Sequence, residues 1–156
     1  MIVSKKLLLA TLIITGLTAA PRAAGACSCT GEVSFDRAVS SSKQIFRGTA
    51  VDVRSAEPEY PMMVWARIAV AQYWKGTPGD TASVLTGANE GVCGFTFIPG
   101  VDYLVYAAPY LPGNDVFTHL CARTHQTWDG DPDLAALDVV TPVRKRTWGA
   151  LKLRFR

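Results

Sequence analysis

The stretch MVWARIAVAQYW, residues 63–74, decides the fold class. Val64, Ala66, Ile68 and Val70 fall on every second position, with Arg67, Trp65 and Tyr73 on the opposite face. A period of two over this length is that of a strand with one buried side. Working outward, QIFRGTAVDVRS (44–55) sets Ile45, Val51 and Val53 among polar neighbours and is rich in β-formers. TASVLTG (81–87), VDYLVYAAP (101–109) and NDVFTHLCA (114–122) follow. Between them stand Pro58, Pro61, Gly76-Thr-Pro-Gly79, Pro99-Gly100 and Pro112-Gly113-Asn114, each a turn signal. Five short strands at this spacing predict a small barrel or sandwich. Two helices flank them in the sequence. EVSFDRAVSSS (32–42) carries Val33, Phe35, Ala38 and Val39 at helical spacing, and DGDPDLAALDVV (129–140) offers Asp131 as N-cap and Pro132 at the first helical position. The expectation is an all-β fold with peripheral helices.

The first 26 residues read as a secretory leader. Lys5 and Lys6 precede the apolar run LLLATLIITGL (7–17), and a small-residue stretch ends in Ala24-Gly25-Ala26. The run is shorter than the ~20 residues that span a bilayer. The expected organisation is therefore a signal peptide over 1–26, one folded domain over 27–143, and a basic tail over 144–156. The expected destination is the periplasm or the extracellular space. The whole chain has 16 Lys and Arg against 13 Asp and Glu, and the leader's share is Lys5, Lys6 and Arg22. Six further bases, Arg144, Lys145, Arg146, Lys152, Arg154 and Arg156, crowd the tail. Residues 27–143 keep seven bases against 13 acids, a net charge of −6. An acidic body of this kind is not a general nucleic-acid binder. Only the tail invites an anionic partner. Its bases interleave with Trp148, Leu151, Leu153 and Phe155, a pattern suited to weak contact with a membrane surface.

All four cysteines, Cys27, Cys29, Cys93 and Cys121, follow the leader, and an even count in an exported chain favours disulfides. A bridge between Cys27 and Cys29 would close a strained ring over one residue. Each of the two then pairs with a distant partner, and geometry leaves both ways of doing so open.

The order of the motifs carries a resemblance. CSC (27–29), IFRGTAVDV (45–53), QYWKG (72–76), CGFTFIPGVDYLVYA (93–107) and THLCART (118–124) together resemble bacterial members of the netrin-like and tissue-inhibitor-of-metalloproteinases (TIMP) group. The likeness covers residues 27–124. It implies a five-stranded OB-like barrel with two disulfides, Cys27–Cys93 and Cys29–Cys121. For the inhibitor branch it also implies a mechanism. The α-amino group and carbonyl oxygen of mature Cys27 chelate the catalytic zinc of a metalloprotease, and Ser28 probes the specificity pocket. Cys27, Ser28 and Cys29 form the wedge. A neutral amine is a sound zinc ligand, and its ordinary pKa of roughly 7.7–8.0 lets a metal displace the proton. The animal inhibitors carry six cysteines in the barrel half and a second disulfide-rich region, whereas this chain has four cysteines. The alternative is an exported netrin-like binding or structural module with no inhibitory activity.

Other candidates carry less chemistry. Acylation of Cys27 would need an apolar residue such as Leu three positions upstream, where Ala24 stands. A redox site would use the C-x-x-C spacing beside a βαβ pattern, which is missing. His119 and His125 match no zinc motif, and no phosphate-binding glycine loop or nucleophile elbow occurs, so no enzyme and no cofactor are expected. Trp65, Trp74, Tyr103 and Tyr106 are read as strand core rather than a stacking platform. Asp102 and Arg123 are read as structural polar residues. The expected state is a monomer.

Overall fold

The computed structural model describes residues 27, 29, 31–110 and 115–140, with the backbone of 144–145. The elements run α1 (Phe35–Ser41), β1 (Gln44–Ser55), β2 (Met63–Lys75), β3 (Thr81–Gly87), a 3-10 turn (Glu90–Val92), β4 (Asp102–Pro109), β5 (Val116–Phe117), β6 (His125–Gln126), α2 (Pro132–Val140) and β7 (Arg144–Lys145). Strands β1, β2, β3, β5 and β4 pair in that order, and β4 returns to β1, so the sheet closes on itself. All pairs are antiparallel except β3 with β5, where Leu85 faces Phe117. This is the expected all-β barrel with two peripheral helices and two disulfides, in an OB-like strand order.

β1 is the strand that bends to close the barrel. It pairs with β4 through residues 44–49 and with β2 along nearly its whole length, with register shifts at three places. Gly48 sits at one of them, and a Cβ there would run into the carbonyl oxygen of Ala69. Only glycine permits that backbone approach. The shifts also reassign faces, because an extra residue flips everything beyond it. On β2, Ile68 and Val70 point into the barrel as the alternation predicts. Beyond the irregularity Tyr73, expected on the opposite face, packs against the barrel core, and Trp74 joins the outer cluster. On β1, Val51 has no partner in the register and is exposed, as is Val53, while Phe46 and Ala50 fill the core.

β4 is buried on both sides. Tyr103, Val105 and Ala107 line the barrel with Phe46, Ile68 and Val84. Leu104 and Tyr106 face outward, where α1 and α2 cover them with Ala38 and Leu137. The helices are therefore a second layer over one wall of the barrel. α1 is shorter than predicted: Ser34 caps it by accepting from the Arg37 amide at 3.4 Å, and Lys75 of β2 donates to its terminal Val39 carbonyl at 2.7 Å. α2 starts as its sequence predicts, with Asp131 Oδ1 accepting from the Asp133 amide at 3.0 Å. Its far end reaches β2, where Trp74 Nε1 donates to Asp138 at 2.8 Å.

The predicted strand over 114–122 is largely not a strand. Only Val116–Phe117 pairs, because Thr118 turns its hydroxyl to the Tyr106 carbonyl and the chain then folds back, Ala122 N–H to His119 O at 2.9 Å. Of the predicted tail, Arg144 and Lys145 add a short strand against Tyr73 and Gln72 of β2. Trp148, Leu151, Leu153 and Phe155 lie outside the described residues. Among the described residues no helix is long and apolar enough to cross a membrane.

Candidate functional site

Two loops at one end of the barrel receive the N-terminal segment. Cys27 is bonded to Cys93 in the β3–β4 connection, with Cα atoms 5.5 Å apart. Cys29 is bonded to Cys121 in the β5–β6 connection, with Cα atoms 5.4 Å apart. The receiving loops are joined to each other, since the Leu120 amide donates to the Cys93 carbonyl at 2.9 Å. Each is also fixed locally. Cys93 adopts a left-handed conformation at φ 58°, and Gly94 presses so closely on the Gly87 carbonyl that no side chain fits there. Thr86 accepts from the Phe95 amide at 2.8 Å, closing the same loop onto β3. The platform is thus tied to strand ends before any disulfide is counted. Ser28, the third residue of the predicted wedge, lies outside the described residues.

A polar network lies beside the second disulfide. Arg123 grips Asp133 of α2 with two donors, Nε to Oδ2 at 2.6 Å and a terminal nitrogen to Oδ1 at 2.8 Å. Its remaining terminal nitrogen donates to the Val33 carbonyl at 2.9 Å. Tyr106 of β4 donates its hydroxyl to Asp133 at 2.9 Å. Burial works against the Asp133 charge, but the hydrogen bonds from Arg123 and Tyr106 outweigh it and hold the carboxyl below its ordinary range. The Tyr106 hydroxyl is pushed upward, first by burial and then by its bond to Asp133. Arg123 is raised, first by its hydrogen bonds to Asp133, which outweigh the opposing effect of burial. His125 completes the cluster, with Nε2 2.8 Å from Asp131 and Nδ1 2.7 Å from the Arg123 carbonyl.

The two histidines therefore serve separate places. His119 stacks on Phe117 with ring centroids 5.5 Å apart, and its Nδ1 accepts from the Cys121 amide at 3.2 Å. That bond fixes the proton of the neutral ring on Nε2. Burial lowers the His119 pKa. Among the described residues no group of three or more His, Cys, Asp or Glu could hold a metal.

Next to Cys29 a cleft of about 530 Å³ opens between the N-terminal segment, the β5–β6 loop and the start of α2. The Cys29–Cys121 bridge, Glu32, Leu120, Arg123, Trp128 and Asp131 are among the residues that line it. Trp128 is 56% exposed and Leu120 40% exposed. Sequence reasoning missed both, because single apolar residues in turn-rich segments have no period to reveal them. Of the four aromatics weighed as a platform, Trp74, Tyr103 and Tyr106 are buried in the core. The fourth, Trp65, begins a string of rings that continues through Tyr60, Tyr110 and Phe117, with successive centroids 5.7, 5.4 and 5.7 Å apart. These come from separate elements, so no window of sequence joins them. Asp102 takes a structural role: it accepts from Thr49 and from Arg47, the latter at 3.1 Å.

The fold and this site define an OB-like barrel that carries a doubly tethered N-terminal segment on hydrogen-bonded loops. No protein-family model matches the chain, and no curated protein matches it in sequence.

Proposed function

We propose that this protein is an exported inhibitor of zinc metalloproteases, similar in design to the TIMP and netrin-like group and acting through its mature N-terminus. The observation that carries this reading is the double tether. Cys27 and Cys29 are two residues apart and are bonded to two different loops, themselves joined by the Leu120–Cys93 hydrogen bond. A segment so held loses little freedom on binding, which removes much of the ordering cost. Its first residue would offer an amine and a carbonyl to the open coordination position of a catalytic zinc. The predicted leader ends at Ala26, which would leave the Cys27 amine free. Two disulfides belong to an oxidising compartment, as export requires.

Intact-mass analysis of the secreted protein is the first test. A start at Cys27, two disulfides and no acyl chain are expected; a blocked or extended N-terminus sinks the mechanism. The second test titrates the mature protein against zinc proteases beside a variant with one additional N-terminal alanine. Inhibition by the first alone is expected, and equal inhibition by both removes the chelating amine from the account. A second reading, an exported binding module, is favoured by the cleft beside Cys29 with its exposed Trp128. It predicts that neither the mature protein nor the alanine-extended variant inhibits any protease of the panel.

A further inference from the structure

The N-terminal segment has a third tether that is not covalent. Val33 lies four residues beyond Cys29, and Arg123 lies two residues beyond Cys121. The two strips of chain are joined first by the Cys29–Cys121 bridge and again by Arg123 donating to the Val33 carbonyl at 2.9 Å. The two disulfides hold residues 27 and 29 only through their side chains. The Arg123 bond holds the backbone of the strip that follows them, at Val33, and so fixes the base on which the tethered residues stand.

We propose that Arg123 is a positioning residue for the wedge, with Asp133 and Tyr106 as the support that aims it. The proposal rests on the inhibitory reading for its consequence, though not for its geometry. Asp133 is 4% exposed and Tyr106 3% exposed, so the support is a buried one. The planar guanidinium matters here. Two of its donors fork onto the carboxylate and a third reaches the opposite way to Val33. An ammonium group is compact and has no fixed fork, so it serves one of these partners or the other. α2 accordingly does more than cover Leu104: its Asp133 holds the arginine that holds the N-terminal segment.

The experiment uses the full oxidised protein and the variants Arg123→Lys and Asp133→Asn. Backbone nitrogen relaxation is followed residue by residue, and inhibition is measured against whichever zinc protease the parent inhibits. Arg123→Lys is expected to lower the order parameters of residues 31–34 from about 0.85 toward about 0.6. Strands β2 and β3 are expected to keep theirs. The inhibition constant should rise by about tenfold, the size set by one lost charge-assisted hydrogen bond, chiefly through faster dissociation. Asp133→Asn, which keeps the shape and removes the charge, should reproduce the local effect in smaller measure. Unchanged order parameters at 31–34 overturn the proposal, as does a fall spread evenly over the barrel. If the parent inhibits nothing while the local mobility changes as expected, the inhibitory reading fails and the positioning role stands.

Discussion

Single residues set how this molecule answers acid, and two of them act in separate pH ranges. His119 is kept neutral by burial, so its folded pKa lies below its unfolded value of roughly 6.5. As the pH falls through that unfolded value, the unfolded chain takes up a proton that the folded one refuses. Stability is then complete above roughly pH 6.5 and declines below it, by at most about 1.4 kcal/mol per pH unit for one proton. Asp133 has a depressed pKa despite its burial, because Arg123 and Tyr106 bond to its charged form. Its contribution is complete above the ordinary carboxylate range and is lost only as the pH falls below about 3.9 toward the folded value. Urea titrations from pH 8 to 3 should therefore show two separate declines. His119→Gln is expected to flatten the first and leave the second. A first decline that persists in that variant would assign it to another group. Neither effect is legible in the sequence, since His119 and Asp133 look like any exposed polar residue until the fold buries them.

Among the elements, the start of α2 was readable, while the start of α1 at Phe35 and the strand irregularities were not. Asp131 and Pro132 announce α2 because capping needs only one side chain and one amide a few residues away. Asp131→Ala should destabilise the protein by about 2 kcal/mol, combining the lost cap with the loss of the His125 partner at 2.8 Å. Circular dichroism melts and urea midpoints would register it; a change below about 0.5 kcal/mol would mean that water replaces both bonds. The strands posed a different problem. Alternation in 63–70 gives the faces of β2 correctly, yet it fails at Tyr73 and Trp74 because register shifts intervene. Those shifts are imposed by closure of β1 onto β4, a contact between residues more than fifty positions apart. β5 is cut short for a similar reason, since Thr118 and Thr124 bond to each other and to the Tyr106 carbonyl. Long-range contacts override local pattern wherever the two compete.

For the whole molecule, the disulfides weigh most because they close long loops. The bridges span 66 and 92 residues of sequence, and the loop-entropy model gives each about 4–5 kcal/mol. Replacing Cys29 and Cys121 together by serine should lower the unfolding free energy by about 2–5 kcal/mol, read from urea denaturation beside the parent. A loss under about 1 kcal/mol would show that the unfolded chain is already compact. The cysteines that mark the candidate site stand out in the sequence because Cys-x-Cys cannot pair with itself. The cleft and the Arg123 network do not, because they join Val33, Arg123 and Asp133 across the fold. That distribution has a consequence for biogenesis. A chain made from its N-terminus presents Cys27 and Cys29 before their anchors, and Cys93, Cys121 and Asp133 arrive in that order and much later. This early segment is then among the last to be set, and its three tethers are complete only after α2 has followed.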